Sequence, residues 1–296
     1  MGDITLTTAT RTNLLSLQRT SSLIGRTQER LATGLKVNSA IDDALAFFKA
    51  RNLNARAGDL STIKDSISNG ISTLKAAVQG LESVESVIKQ MKAIAQSAIS
   101  SPESSSRAKL ASQFNELRSQ VDNLLEDAQF NGVNLLKNTS GTFTVGADRL
   151  TVKFNERTET SSINQLVISG LNTSDFNSII ARSALATGTA GTTTVWGQTG
   201  TAAITAINRA VRALDSALVT VRQVSQTFGT NSSVLEIRRT FTENLINTLK
   251  GGAAQLVNAD LNEESANLLS LQTRQQLGTI SLGIAQQSEQ SVLRLF

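Results

Sequence analysis

The chain has 296 residues, of which 40% are hydrophobic but only 4% aromatic, and it contains no Cys, no His and no Tyr. Its core must therefore be built mainly from Leu, Ile, Val and Ala. Without Cys and His, the usual zinc, copper, haem and iron–sulfur ligand sets are excluded, as are Ser-His-Asp and Cys-His catalysis. We therefore expect no metal, no other cofactor and no enzymatic activity.

The formal net charge of +4 is unevenly distributed along the chain. Opposite signs at the two ends favour contacts between the ends, or between subunits, over a phosphate-binding stripe. An ordinary solvated surface is the alternative, and no nucleic-acid partner is expected. The basic excess near the N-terminus comprises Arg11, Arg19, Arg26, Arg30, Lys36, Lys49, Arg51 and Arg56, whereas the C-terminal part carries Asp260, Glu263, Glu264 and Glu289 against Arg274 and Arg294.

Apolar residues of the first predicted helix recur at the alternating three-and-four spacing of a coiled-coil seam. Ser21 and Gln28 take the intervening seam positions, so polar side chains interrupt the seam twice. Such a helix is marginal alone in water and needs a partner. Gly34 is expected to break it. The apolar seam residues are Leu14, Leu17, Ile24, Leu31 and Leu35.

A second helix is predicted to begin at the run Asn38 to Asp43 and to continue to about Ser97. Asn38 or Ser39 would cap it, with Asp42 and Asp43 in its first turn, where the helix dipole favours acids. A third helix follows the turn at Pro102 and ends near residues 131–132. The second helix carries the stripe Ile63, Ile67, Ile71, Leu74, Val78, Leu81, Val84, Ile88, Met91 and Ala95, and the third carries Leu110, Phe114, Leu117, Val121, Leu124 and Leu125.

From Gly141 the hydrophobic period changes to two, which is typical of strands. Alternating residues from Phe143 to Phe154 surround residues 146–148 and predict a hairpin there. Leu166 to Leu171 would add a strand. Residues 172–201 are rich in Thr, Ser, Gly and Ala, so we expect an exposed loop in which Trp196 forms a small local core.

Helix is predicted again from about Ala202, with a hinge at Gly251 and Gly252. In the final segment the apolar residues cover more than one face. A helix that is apolar on several sides is buried by more than one neighbour, and this chain alone offers few, which favours a polymer. The apolar positions of the final segment are Leu261, Leu268, Leu269, Leu271, Leu277, Ile280, Leu282, Ile284, Val292, Leu293, Leu295 and Phe296.

Two pairs of adjacent carboxylates are the obvious candidates for chemistry, at residues 42–43 and 263–264. Neighbouring residues on a helix point about 100° apart, so neither pair converges on one substrate atom, and solvated first-turn acids are expected. The glycine-containing run at 188–191 lacks the lysine of a phosphate loop. Polar helix faces rich in Asn, Gln, Ser and Thr rather than Lys disfavour a membrane partner. No enzymatic site is predicted.

Several motifs together resemble one family, bacterial flagellin, over nearly the whole chain. The run Asn38-Ser39-Ala40-Ile41-Asp42-Asp43 is similar to the family's Asn-Ser-Ala-x-Asp-Asp signature. Ala44 to Phe48 replaces the family's usual small-residue run and resembles short alphaproteobacterial flagellins. Independent motifs in order at both ends make the resemblance specific. The matching segments are residues 30–44, 131–136, 258–261, 275–278 and 292–296.

The resemblance implies a mainly α fold: a paired N- and C-terminal helical coiled coil plus a rod-like helical bundle with a small β-hairpin region. It places the inner coiled coil at residues 1–40 with 255–296 and the rod-like domain at 41–140 with 201–254. Residues 141–200 would form the hairpin and an exposed Ser/Thr/Gly-rich loop. The resemblance also implies that this chain lacks the large outer domains of longer flagellins.

The resemblance also implies a structural subunit that polymerises into the helical filament of the bacterial flagellum for swimming motility; a hook–filament junction protein of the same superfamily is the alternative. Implied partners are other copies of the chain, hook-associated junction and cap proteins, the flagellar export apparatus and an export chaperone. The protein would be secreted without signal cleavage into the extracellular filament, with glycosylation at residues 173–201. The residues expected to pack subunits are Leu14, Leu17, Ile24, Leu31, Leu35, Leu268, Leu271, Leu277, Ile280, Leu282, Ile284, Val292 and Leu295; the domain-junction motif is Asn38, Ser39, Asp42 and Asp43.

Overall fold

A computed structural model describes residues 8–138, 144–156, 164–172, 176, 195–198 and 200–293. Long helices dominate these residues, with one two-stranded sheet, so the predicted mainly α fold class is confirmed. The elements in chain order are α1 (Thr8–Thr33), α2 (Ala44–Ser100), α3 (Ser104–Asp127), β1 (Arg149–Lys153), β2 (Gln165–Ser169), a 3₁₀ turn (Val195–Gly197), α4 (Thr201–Val257) and α5 (Leu261–Leu293).

The chain forms two compact units. The terminal unit comprises Met1–Ala57 and Asn247–Phe296, and the central unit comprises Gly58–Ile246. The finer division into three regions that the resemblance implies stays a prediction.

In the terminal unit, α1 and α5 pack side by side and run antiparallel. Near one end of the pair, Arg30 contacts Glu264. Farther back along α1, Leu17 lies against Gly278, which is farther forward along α5. Later residues of α1 therefore face earlier residues of α5, so the two helices are antiparallel.

The connectors that follow α1 and α4 pair with each other. Gly34 adopts a left-handed φ of 70° and ends α1, as predicted. Leu35 then forms an antiparallel bridge with Asn258. The amide of Lys36 donates to the Val257 carbonyl at 2.7 Å, and the amide of Ala259 donates to the Gly34 carbonyl at 2.9 Å. The two connectors are thus joined by backbone hydrogen bonds, which do not depend on side-chain identity.

The predicted hinge at Gly251 and Gly252 is wrong, because α4 continues through both residues to Val257. A Cβ at Gly252 would lie 3.7 Å from Cδ1 of Leu53 on α2, an ordinary packing distance. Ala253, next in the chain, is buried. Packing against the start of α2 holds this stretch helical despite the low helix propensity of glycine.

The core of the central unit is formed by α2, α3 and α4, whose apolar stripes meet along their lengths. Most of the stripe residues predicted on α2 and α3 are buried there. Arg222 of α4 donates to Glu85 of α2 through Nε at 3.0 Å and Nη2 at 2.9 Å, at the edge of this core. Fully or nearly fully buried members include Ile67, Leu74, Leu81, Ile88, Phe114, Val121, Ile207, Leu214 and Val221.

Of the hairpin predicted around residues 146–148, the structure describes only the part from Thr144 onward. Residues 146–148 form a turn in which Gly146 has a φ of 83° and Val145 bridges back to Arg149. The partner of β1 is β2, antiparallel, with Thr151 opposite Val167. The side chain of Asp148 is buried, and it stabilises the turn by accepting a hydrogen bond from the Thr144 amide. The strand predicted near residue 166 is present; Phe143 lies outside the described residues.

The local core predicted for Trp196 is present. The ring is fully buried and its centroid lies 5.0 Å from that of Phe114. The buried guanidinium of Arg107 donates to the carbonyls of Trp196 at 3.0 Å and Gln198 at 2.7 Å, and to those of Ser101 and Pro102 at 2.9 Å each. The expectation of an exposed loop is therefore wrong at Trp196, while residues 173–175, 177–194 and 199 lie outside the described residues.

Candidate assembly interface

Helices α1 and α5 bury a regular seam against each other. The least exposed positions on each helix follow an alternating three-and-four spacing, which is the pattern of an antiparallel coiled-coil pair. About half of them are polar or small. The seam comprises Thr10, Asn13, Leu17, Thr20, Ile24, Thr27 and Leu31 on α1, and Glu264, Leu268, Leu271, Gln275, Gly278, Leu282 and Ala285 on α5.

The seam register predicted for α1 is therefore wrong at alternate positions. Leu17, Ile24 and Leu31 lie in the seam as expected, but the intervening positions are one residue earlier than predicted. Ser21 and Gln28 are exposed, and Leu14 is 42% exposed. Thr20 and Thr27 lie in the seam in place of Ser21 and Gln28. Thr20 satisfies its hydroxyl by donating to the Ser16 carbonyl of its own helix at 2.9 Å.

A second apolar face lies on roughly the opposite side of α5 from the seam. Its four large residues are each 60–67% exposed. At about 100° per residue, these positions form one stripe along the helix. We call it the outer face of α5. Its members are Leu269, Leu277, Ile280 and Ile284.

An ion pair joins α1 and α5 across the seam. Arg30 Nη1 lies 2.8 Å from Glu264 Oε1, and Glu264 is only 8% exposed. The expectation that both acids at 263–264 are solvated is therefore wrong for Glu264. Asp260 caps α5, because its Oδ1 accepts from the amides of Asn262 at 2.9 Å and Glu263 at 3.3 Å. One residue from each of the two oppositely charged segments thus takes part in a contact within one subunit.

The motif predicted for the domain junction builds a tight turn before α2 and lies within the terminal unit. Asp42 Oδ2 accepts from the Ser39 amide at 2.9 Å, the Ser39 hydroxyl at 3.0 Å and the Asn38 amide at 3.2 Å. The hydrogen bonds from Ser39, chiefly that of its amide, hold the pKa of Asp42 below its ordinary value. Asp43 Oδ1 accepts from the Ala46 amide at 2.9 Å.

These contacts correct the predicted start of α2. Asp43 is the N-cap, and the helix begins at Ala44, so neither Asn38 nor Ser39 caps it and neither acid lies in its first turn. Asn38 instead donates through Nδ2 to Glu29 Oε1 of α1 at 3.2 Å. The four motif residues therefore lie together as expected, but they shape the turn between α1 and α2.

The predicted packing residues divide into two groups. Those of the seam and the connector are half-buried: Leu17, Ile24, Leu31, Leu35, Leu268, Leu271 and Leu282. Those exposed are Leu14, Leu277, Ile280 and Ile284. The side chain of Val292 and all of Leu295 lie outside the described residues.

Seam members that the sequence analysis missed are mostly polar or small. Thr10, Thr27 and Glu264 are buried without being apolar, so a hydrophobic pattern cannot find them. Gly278 carries a weak signal, since it lies three residues after Gln275 and four before Leu282, in step with the seam.

Among the described residues no helix is long and apolar enough to cross a membrane. The long paired helices, with an apolar face left outside the pair, define a helical structural protein built for association. Residues 4–141 match the bacterial flagellin N-terminal helical region, and residues 211–296 match the bacterial flagellin C-terminal helical region. The chain belongs to the bacterial flagellin family.

Curated relatives are similar over almost the full length. Flagellin FljM of Caulobacter vibrioides is 33% identical over 285 residues, covering 96% of this chain and 94% of the relative. Flagellin C of Rhizobium meliloti is 27% identical, covering 96% and 95%. A solved structure described as a flagellar hook-associated protein from Vibrio parahaemolyticus has a TM-score of 0.57 at 17% identity, covering 73% of this chain and 100% of that one. That likeness shows the fold alone.

Flagellins are structural proteins that self-assemble into the flagellar filament, which is extracellular. The resemblance to the family and the function of filament subunit are therefore confirmed.

Proposed function

We propose that this chain polymerises into the helical flagellar filament, for swimming motility, through the apolar surface that its terminal unit leaves exposed. The single observation that carries this proposal is the outer face of α5, where four large aliphatic residues are each at least 60% exposed. Contiguous apolar patches of this kind mark interaction sites in soluble proteins.

The magnitude of the burial supports assembly. Fully burying an aliphatic side chain contributes about 1.5–3 kcal/mol. Four partly exposed residues per subunit therefore supply several kcal/mol, by the same scale, when neighbouring subunits cover them. About half of the seam residues are polar or small, so the α1–α5 pair is marginal in isolation. Covering the outer face would stabilise the pair as well as the filament.

The predicted packing residues take different roles in this proposal. The seam residues, such as Leu17 and Leu271, hold α1 to α5 within one subunit. The exposed residues, such as Leu14 and Ile280, contact other subunits. Val292 and Leu295 stay predictions for the same interfaces.

The family relation supports further partners and a location as proposals. The protein would be exported by the flagellar export apparatus with an export chaperone, and the filament would meet hook-associated junction and cap proteins at its two ends. It would act outside the cell, without membrane or nucleic-acid partners and without catalysis. Glycosylation at residues 173–201 would be detected as intact mass in excess of the sequence mass.

Salt-induced polymerisation of the purified chain tests the proposal. We expect micrometre-long filaments by electron microscopy, whereas a hook–filament junction protein would not form long filaments alone. Ile280→Asp with Ile284→Asp should abolish filaments, because charges on the outer face would be buried. The control is Gln272→Asp, at an exposed position of α5 that lies between the seam and the outer face around the helix. Normal filaments from the double variant would contradict the role given to the outer face.

A further inference from the structure

Ile41 is 95% exposed, although it lies in a well-defined turn. Asp42 holds the turn by accepting three hydrogen bonds from Asn38 and Ser39, and the Asp42 amide donates to the Ser39 carbonyl at 3.2 Å. The Ile41 amide lies 3.3 Å from the Ser39 hydroxyl. An aliphatic side chain is thus presented to solvent on a backbone that is already ordered, which reduces the entropy cost of binding.

An apolar cavity of about 280 Å³ lies in the same terminal unit. It opens where the connector after α1 meets the end of α4 and one face of α2. Small-molecule sites enclose roughly 300–1,000 Å³, so this cavity is of a size for side chains. Its lining comprises the apolar residues Leu35, Val37, Phe47, Ala50 and Val257 and the polar residues Asn38, Arg51 and Asn54.

Charge and symmetry indicate the occupant. Ile41 is followed by the exposed carboxylates Asp42 and Asp43, while the cavity lining includes Arg51. The apolar parts and the charges of the two surfaces are therefore complementary. Asn38 belongs to both the turn and the cavity lining, so the two surfaces adjoin in each copy. A contact in which each Ile41 enters the cavity of the next copy joins copies head to tail and can repeat without closing. That property suits a helical polymer.

We propose that Ile41 of one subunit inserts into this cavity of a neighbouring copy in the filament, with Asp42 and Asp43 facing Arg51. The inference rests on the proposed filament function and adds to the outer face of α5 a second, side-chain-specific contact between subunits. Replacing Ile41 should leave the fold of the monomer unchanged, because the side chain makes almost no contact within it.

Substitutions at Ile41 give the first measurement. Ile41→Asp should raise the critical concentration for polymerisation at least tenfold, while Ile41→Val should raise it by no more than about fourfold, because only one methylene is lost from the contact. Monomer helicity by circular dichroism should be the same for both. Filaments of Ile41→Asp at the wild-type critical concentration would overturn the inference.

Cysteine cross-linking gives the second measurement, and the chain has no native Cys to interfere. Asn54 is exposed and lines the cavity from the face of α2 that carries Phe47 and Ala50. Filaments of Ile41→Cys with Asn54→Cys, oxidised and dissolved in detergent, should give a ladder of covalent oligomers. The matched control is Ile41→Cys with Lys49→Cys, because exposed Lys49 lies on the opposite face of the same turns of α2.

The outcomes separate the two proposals. A ladder with Asn54→Cys and none with Lys49→Cys supports the inference. Filaments with no ladder, or with equal ladders in both pairs, overturn the inference and leave the filament function intact. A wild-type chain that forms no filaments at any salt concentration overturns the proposed function itself.

Discussion

Leu17 of α1 lies directly over Gly278 of α5: a Cβ at Gly278 would be 2.6 Å from Cδ2 of Leu17 and 3.2 Å from its Cγ. The glycine lets the two helices approach closely at this level of the seam. By contrast, a Cβ at Gly283 on the same helix would meet no atom within 4 Å. The two glycines therefore form a matched pair for testing the seam.

Gly278→Leu should weaken the α1–α5 pair. Overpacking against Leu17 costs about 1–3 kcal/mol, which corresponds to a rise of roughly five- to 150-fold in the critical concentration for filament formation. Gly283→Leu should not raise it, because leucine improves helix propensity in open space. The measurement is the unpolymerised protein left after sedimentation of filaments, and equal effects at both positions would argue against a seam that closes at Gly278.

Arg30→Ala should destabilise the same pair by leaving the carboxylate of Glu264 buried without its partner. A buried charged acceptor that loses its hydrogen bond costs about 1–3 kcal/mol or more. Glu264→Gln should destabilise the α1–α5 pair less, because the amide oxygen of Gln can still accept a hydrogen bond from Arg30. Amide hydrogen exchange of α1 in assembled filaments measures the effect.

The control for Arg30 is Arg239→Ala, which removes the exposed pair of Arg239 with Glu236 on α4. Exposed ion pairs of this type contribute little to stability, so amide hydrogen exchange in α4 should hardly change. Equal loss of protection in the two variants would show that burial of Glu264 is unimportant.

The turn before α2 should be pH-dependent through Asp42. Hydrogen bonds from Ser39 lower the pKa of Asp42 below its ordinary value of 3.8. The folded state therefore favours the ionised form, so the stabilising contribution is fully present above pH 3.8 and is lost as the pH falls through the lowered pKa. Protection of the Ser39 amide from hydrogen exchange should fall in that acid range.

Asp42→Asn is the control for the acid dependence, since an amide can accept a hydrogen bond but does not titrate. Its Ser39 amide should be less protected at neutral pH and, after correction for intrinsic exchange, show no acid transition. If the acid transition of the Ser39 amide were unchanged in this variant, a group other than Asp42 would be responsible for it.

Arg107→Lys should destabilise the central unit, because a lysine cannot reproduce the planar set of hydrogen bonds from Arg107 to four carbonyls. We expect a loss of about 2–4 kcal/mol, as for other changes that break buried charged networks. Trp196 is the sole Trp and one of those carbonyls is its own. Its fluorescence during urea unfolding reports the change.

Arg209→Lys provides the comparison, at an exposed position of α4. It should shift the urea midpoint little, and its Trp196 emission should match that of the wild type. A wild-type midpoint and emission in Arg107→Lys would mean that the carbonyl cluster does not depend on the guanidinium.

Hydrophobic periodicity was sufficient to predict the long helices and the strand near residue 166. It was not sufficient to predict the seam register of α1. With 3.6 residues per turn, a position three or four residues from Leu17 can face the partner equally well. The apolar side chain of Leu14 favoured the position three residues before Leu17. Packing against α5, where Gly278 lies against Leu17, instead placed the position four residues before it in the seam.

By itself, the sequence determined the helical class, the break at Gly34, the family and the excess of apolar surface on α5, because these follow from local propensity and from periodicity along one helix. Only the tertiary structure decided which apolar residues the chain covers itself and which it leaves exposed, that Glu264 is buried against Arg30, and that Ile41 projects from an ordered turn. Those outcomes depend on groups that lie far apart in the sequence, and their pairing is set by how the antiparallel helices and their connectors meet.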